Sequence, residues 1–125
     1  MPVVRRADRR VSETPNAVMT TFASPTQGGA GHSVWRVDMG PGAQGPLHTI
    51  NVEQVWAALE GGATVELDGE SFTVEPGDVV VMPAEATRRI STGADRGFAA
   101  VVSAPAGVRA RVHGGTDDVV PPWSA

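Results

Sequence analysis

The 125-residue chain contains no cysteine, no tyrosine and no lysine. Without cysteine there are no disulfides, no thiolate nucleophile, no Cys-ligated zinc and no iron–sulfur cluster. Without lysine there is no Schiff-base chemistry, and without tyrosine no phenolic acid or nucleophile. All ten basic residues are arginine, so only His32, His48 and His113 titrate near neutral pH in an ordinary environment. Long apolar runs are missing too: none approaches the roughly 18 residues of a membrane span. The first ten residues, MPVVRRADRR, lack the apolar stretch of a secretion signal. A cytoplasmic protein without a membrane partner is the expectation.

What the chain has in excess is turn formers. Fifteen glycines and ten prolines make up a fifth of it, which argues against a helix bundle. Its length suits one domain with one core. A net charge of −4 argues against nucleic acid as a partner. The charge is uneven: residues 1–10 carry +3, through Arg5, Arg6, Arg9 and Arg10 against Asp8, and the remainder −7. That basic end, residues 1–10, reads as solvated and partly frayed; it opens an arm over residues 1–16, ahead of a barrel at 17–113 and a tail at 114–125.

Glycine and proline cut the barrel region into short β-prone segments. Residues 17–23 (AVMTTFA) form one. Residues 32–39 alternate, with Trp35, Val37 and Met39 on one face and Val34, Arg36 and Asp38 on the other. Residues 53–59 (EQVWAAL) are helical by propensity alone, but their brevity and the following Gly61-Gly62 favour a strand. Asp68-Gly69 between residues 63–67 and 71–75 is a hairpin signal. Residues 79–82 (VVVM) read as a strand buried on both sides. Residues 87–91, 98–103 and 108–113 complete about nine or ten short strands. That spacing belongs to an all-β sandwich or small barrel.

Two stretches resemble the motifs of the cupin superfamily. The first motif runs Gly, five residues, His, any, His, three or four residues, Glu, six residues, Gly; here those places hold Gly42, His48, Ile50, Gln54 and Gly61. The second runs Gly, five residues, Pro, any, Gly, two residues, His, three residues, Asn; here it is Gly77, Pro83, Glu85, Arg88 and Thr92. Fifteen residues separate the motifs, as in compact microbial cupins. The resemblance implies a single-domain jelly-roll β-barrel. It also implies a homodimer, formed through a sheet face or an exchanged N-terminal strand; residues 17–23 and the Pro121-Pro122-Trp123 tail are the candidate contact elements. Trp123 is expected to dock on the barrel or on the partner.

The metal chemistry of such barrels needs several imidazoles and a carboxylate converging on one ion. This chain keeps His48 but places Ile50, Gln54 and Arg88 at the other ligand positions. The expected cofactor is therefore none, a divalent metal at His48 and Gln54 being the alternative. His32 and His113 lie outside the motifs and read as surface or hydrogen-bonded histidines. The resemblance, through the alternation that puts the family's ligands there, implies that positions 48, 50, 54, 56 and 88 face the lumen. There Gln54, Arg88, Trp56 and Ile50 would contact a ligand, with Arg88 as a fork for carboxylate, phenolate or enolate oxygens. The primary functional expectation is a small-molecule-binding cupin for an anionic or carbonyl-bearing, partly aromatic ligand. Two alternatives stand beside it. One is a non-redox isomerase, cyclase or epimerase with His48 as catalytic acid–base; the other is a metal-dependent dioxygenase or isomerase with a reduced ligand set.

Overall fold

The computed structural model describes residues 3–125; Met1 and Pro2, the start of the basic arm, lie outside the described residues. A 3-10 turn at Arg6–Asp8 precedes eleven strands. They are β1 (Arg10–Glu13), β2 (Val18–Ala23), β3 (His32–Met39), β4 (His48–Ile50), β5 (Gln54–Gly61), β6 (Ala63–Leu67), β7 (Glu70–Val74), β8 (Val79–Met82), β9 (Arg88–Ser91), β10 (Phe98–Pro105) and β11 (Ala110–Val112). Six strands form one sheet in the order β1-β2-β3-β10-β5-β8, and five form the other in the order β11-β4-β9-β6-β7. From β3 onward the chain crosses back and forth between the sheets, the β6–β7 hairpin excepted. This is a jelly-roll β-barrel. No helix among the described residues is long and apolar enough to cross a membrane.

The local signals act as the sequence implies. Asp68 and Gly69 take φ of 48° and 83°, and Leu67 pairs with Glu70 around them, the two-residue hairpin geometry that Asp-Gly favours. Residues 53–59 are not helical; β5 pairs β10 on one side and β8 on the other. Along β3, Ser33, Trp35, Val37 and Met39 turn inward and their neighbours outward, so one stripe of this strand feeds the core. Val65 and Ile90 of the second sheet, opposite it, and Ala100 and Val102 of the neighbouring β10 complete the packing.

At and just after the basic end, Arg10–Glu13 pairs with β2, the Arg9 guanidinium lies 4.6 Å from the Phe22 ring centroid, and Arg10 donates to Thr26 and Ser24. Two expectations are corrected. The strand total among the described residues is eleven rather than about nine or ten, the arm supplying the extra one. The VVVM run is not buried on both sides. It is an edge strand with Val79 59% and Val81 53% exposed, while Met82 is sealed. An apolar run cannot by itself tell one buried face from two.

Candidate functional site

Between the sheets lies a cavity of about 630 Å³. Its floor comes from the inward faces of β2, β3, β5 and β9, through Met19, Trp35, Val37, Met39, Trp56 and Ile90. Residues of the 14–17 loop and of the tail, including Trp123, complete its lining. All three tryptophans of the chain line it. The surface is mainly apolar, and its titratable members are His48 and Asp117.

The structure brings His48, Ile50, Gln54 and Trp56 together on this cavity. Arg88 is fully buried, but it is not among the lining residues and lies behind the wall. Its Nε donates to Ala86 O at 3.1 Å, its Nη2 to Pro83 O at 2.8 Å and its Nη1 to Gln54 Oε1 at 3.4 Å. No carboxylate among the described residues makes an ion pair with it, Glu85 included. Burial pulls its pKa below the usual guanidinium value, opposed by the fields of Asp68 and Glu85. His32 and His113 are exposed and do not reach the cavity.

Gln54 opens β5 and is 4% exposed. Besides Arg88, its Oε1 accepts from Trp56 Nε1–H at 3.2 Å. Both neighbours are donors only, which fixes which end of the amide is oxygen. The Nε2 has no partner among the described residues, yet it is not one of the polar atoms sealed in the packing, so it opens on the cavity.

His48 sits on the short β4, with Nδ1 2.8 Å from Pro46 O. A carbonyl only accepts, so Nδ1 carries the hydrogen and Nε2 is the free nitrogen. Burial lowers the pKa of His48 below 6.5; the Pro46 bond opposes this and the Arg88 charge adds to it. Burial and the neighbouring cation thus both disfavour the protonated ring, and the lone pair is on Nε2.

These residues do not fit a resident metal. At the positions where cupin motifs place ligands, Ile50 has no lone pair to give and Arg88 is a cation fixed by three acceptors. Among the described residues no three His, Asp or Glu side chains come together as a candidate metal group.

Several cavity residues escape motif reading: Met19, Met39, Trp35, the 14–17 loop and the tail. The alternation of residues 32–39 does place Trp35 and Met39 on one face; what it lacks is the information that this face borders a void rather than packed core. Trp123 docks on its own barrel. Its carbonyl accepts from Thr21 Oγ1 at 2.7 Å, and Ser124 O accepts from Ser33 Oγ at 2.7 Å. Residues 18–23, within the other candidate contact segment, form β2, paired on both edges within the chain.

The architecture is shared with solved structures of diverse chemistry. The polyketide cyclase RemF from Streptomyces resistomycificus is 22% identical, with 94% of this chain and 89% of that one aligned at a TM-score of 0.77. The DMSP lyase DddQ from Ruegeria pomeroyi DSS-3 is 19% identical, covering 89% of this chain and 64% of that one at 0.75. A salicylate 1,2-dioxygenase from Pseudaminobacter salicylatoxidans is 18% identical over 86% of this chain and 33% of its own, at 0.72. At such identities the likeness is one of fold. No curated protein matches the chain. The cupin domain family model matches residues 35–108, more than half the sequence, from within β3 past the end of β10, and so takes in three of the four strands of the cavity floor, β3, β5 and β9. The chain belongs to the cupin domain family.

Proposed function

We propose that this cupin binds a carbonyl-bearing, largely apolar and aromatic small molecule inside its barrel, without a resident metal. The observation that carries the reading is the convergence of all three tryptophans, His48 and Gln54 on one cavity. Tryptophan faces and methionine side chains suit a flat ring system, and a few polar groups in an apolar wall fix its orientation. About 630 Å³ is ample for two or three fused rings. Arg88 stands behind the wall, so the pocket offers no guanidinium fork for a carboxylate. Titrating aromatic ketones and phenols against the intrinsic tryptophan emission, with chelator present, tests this directly. Saturable quenching supports it; a flat response across the series excludes it.

One observation favours a second reading, acid–base catalysis without redox change. His48 combines a fixed tautomer with a free, unprotonated Nε2 on a residue lining the cavity, as a general base requires. Such a group takes a proton from carbon or oxygen next to a carbonyl, the step common to isomerisation and cyclisation. The fold likeness to a polyketide cyclase is compatible with that chemistry. Solvent deuterium exchange into a bound ketone, lost in His48→Gln, is its signature.

A further inference from the structure

Two polar groups of the cavity wall, Gln54 and His48, have fixed and opposite hydrogen-bonding senses. Gln54 Oε1 is held by Trp56 Nε1–H at 3.2 Å and Arg88 Nη1–H at 3.4 Å. Flipping the amide would set its NH₂ against two groups that only donate, so the NH₂ stays on the cavity side. His48 has the complementary sense. Its Nδ1–H is committed to Pro46 O, and the Nε2 of the neutral ring only accepts.

Arg88 gives this arrangement its strength. A guanidinium sealed from solvent without an ion-pair partner among the described residues, its desolvation opposed only by the fields of Asp68 and Glu85, is an uncommon expense for a fold. Its field lies along the Gln54 amide with the oxygen nearest, which stabilises that orientation and makes the outward N–H groups stronger donors.

We propose that Gln54 is a specificity-determining residue donating to a carbonyl or enolate oxygen of the ligand. Arg88 is a positioning residue that locks and polarises that donor without touching the ligand. Together with the accepting His48 Nε2, this narrows the ligand to hydroxy-carbonyl aromatics: a ring system with one oxygen to receive from Gln54 and an O–H to give to His48. The assignment rests on the reading of the cavity as a ligand site.

The test uses three compounds of equal ring number: a hydroxyaryl ketone, its O-methyl ether and the parent hydrocarbon, titrated by tryptophan quenching in chelator-treated buffer. The hydroxy-ketone should bind about tenfold or more tighter than the hydrocarbon, the ether falling between, because the hydrocarbon leaves buried polar groups unpaired. In Gln54→Glu the new carboxylate still accepts from Trp56 and Arg88 but has no N–H to offer. The protein should fold and the preference for the ketone should vanish. By NMR, the Gln54 side-chain NH₂ resonances should shift downfield with the ketone and not with the hydrocarbon; in Arg88→Met that shift should shrink. Equal affinity for all three compounds in the native protein, or a preference that survives Gln54→Glu, would overturn the assignment and leave the cavity reading standing. No binding by any of the three would overturn both.

Discussion

His48 and Arg88 are direct partners across the β4–β9 ladder, so the imidazole is built next to a permanent cation that cannot move away. The pairing acts in the same direction as burial, and both disfavour the protonated ring. The sign of the effect on stability follows. The folded pKa of His48 lies below its ordinary 6.5, so the folded state resists a proton that the unfolded state accepts. The stabilisation is complete above the unfolded value and is lost as the pH falls from there through the folded one. Urea unfolding at pH 8 and pH 5.5 should show the native protein losing more stability than His48→Gln. The exposed His32 and His113 serve as controls, and replacing them should leave the difference intact.

Arg88 holds three acceptors from inside the packing, so its removal exposes their need. Arg88→Met fills similar volume, but leaves Ala86 O without its side-chain donor. It should cost about 1–3 kcal/mol in denaturant unfolding. The opposing term is relief from burying an unpaired charge. A neutral or stabilising result would show that desolvation outweighs the three bonds.

Much of the fold was legible because its signals are local. Asp68-Gly69 specifies its own hairpin, and the alternation of residues 32–39 specifies which side of β3 is buried. The motif positions also placed His48, Ile50, Gln54 and Trp56 on one surface, since strand parity is enough to decide a face. Parity was insufficient for Arg88. It turned the residue inward but did not say that three acceptors would draw the head behind Gln54 rather than into the void. The tail was beyond reach for a different reason. Its position is set by buried Thr21 and Ser33 hydroxyls about a hundred residues earlier in the chain, a pairing with no periodicity to betray it.

The two motif glycines at positions 61 and 77 share a positive φ, 70° and 91°, but differ in what surrounds them. A Cβ on Gly77 meets nothing within 4 Å, so Gly77→Ala should cost only the conformational penalty, about 1–2 kcal/mol. A Cβ on Gly61 would be driven into the Gly97 carbonyl, where β5 packs beside β10. Gly61→Ala should therefore cost about 3 kcal/mol or more, since a backbone clash is added to the same strain. Thermal unfolding of the two variants side by side checks the contrast.

The tail forms part of the cavity wall and is held by main-chain acceptors as well as by Trp123 packing against the core. Trp123 is only half-buried, while the Thr21, Ser24 and Ser33 hydroxyls beneath the segment are fully buried and donate to Trp123 O, Ala125 O and Ser124 O. Two substitutions separate anchoring from covering. Thr21→Val leaves a carbonyl unpaired and should cost about 1 kcal/mol, with the indole still present. Trp123→Ala keeps the anchors but removes an aromatic wall. It should lower stability by about 1–3 kcal/mol and speed ligand dissociation roughly tenfold, with little change in association rate. Stopped-flow displacement of a bound aromatic ketone, followed through Trp35 and Trp56, reads both rates. Unchanged dissociation in Trp123→Ala would mean that the ligand sits deeper, against the β3 and β5 tryptophans alone.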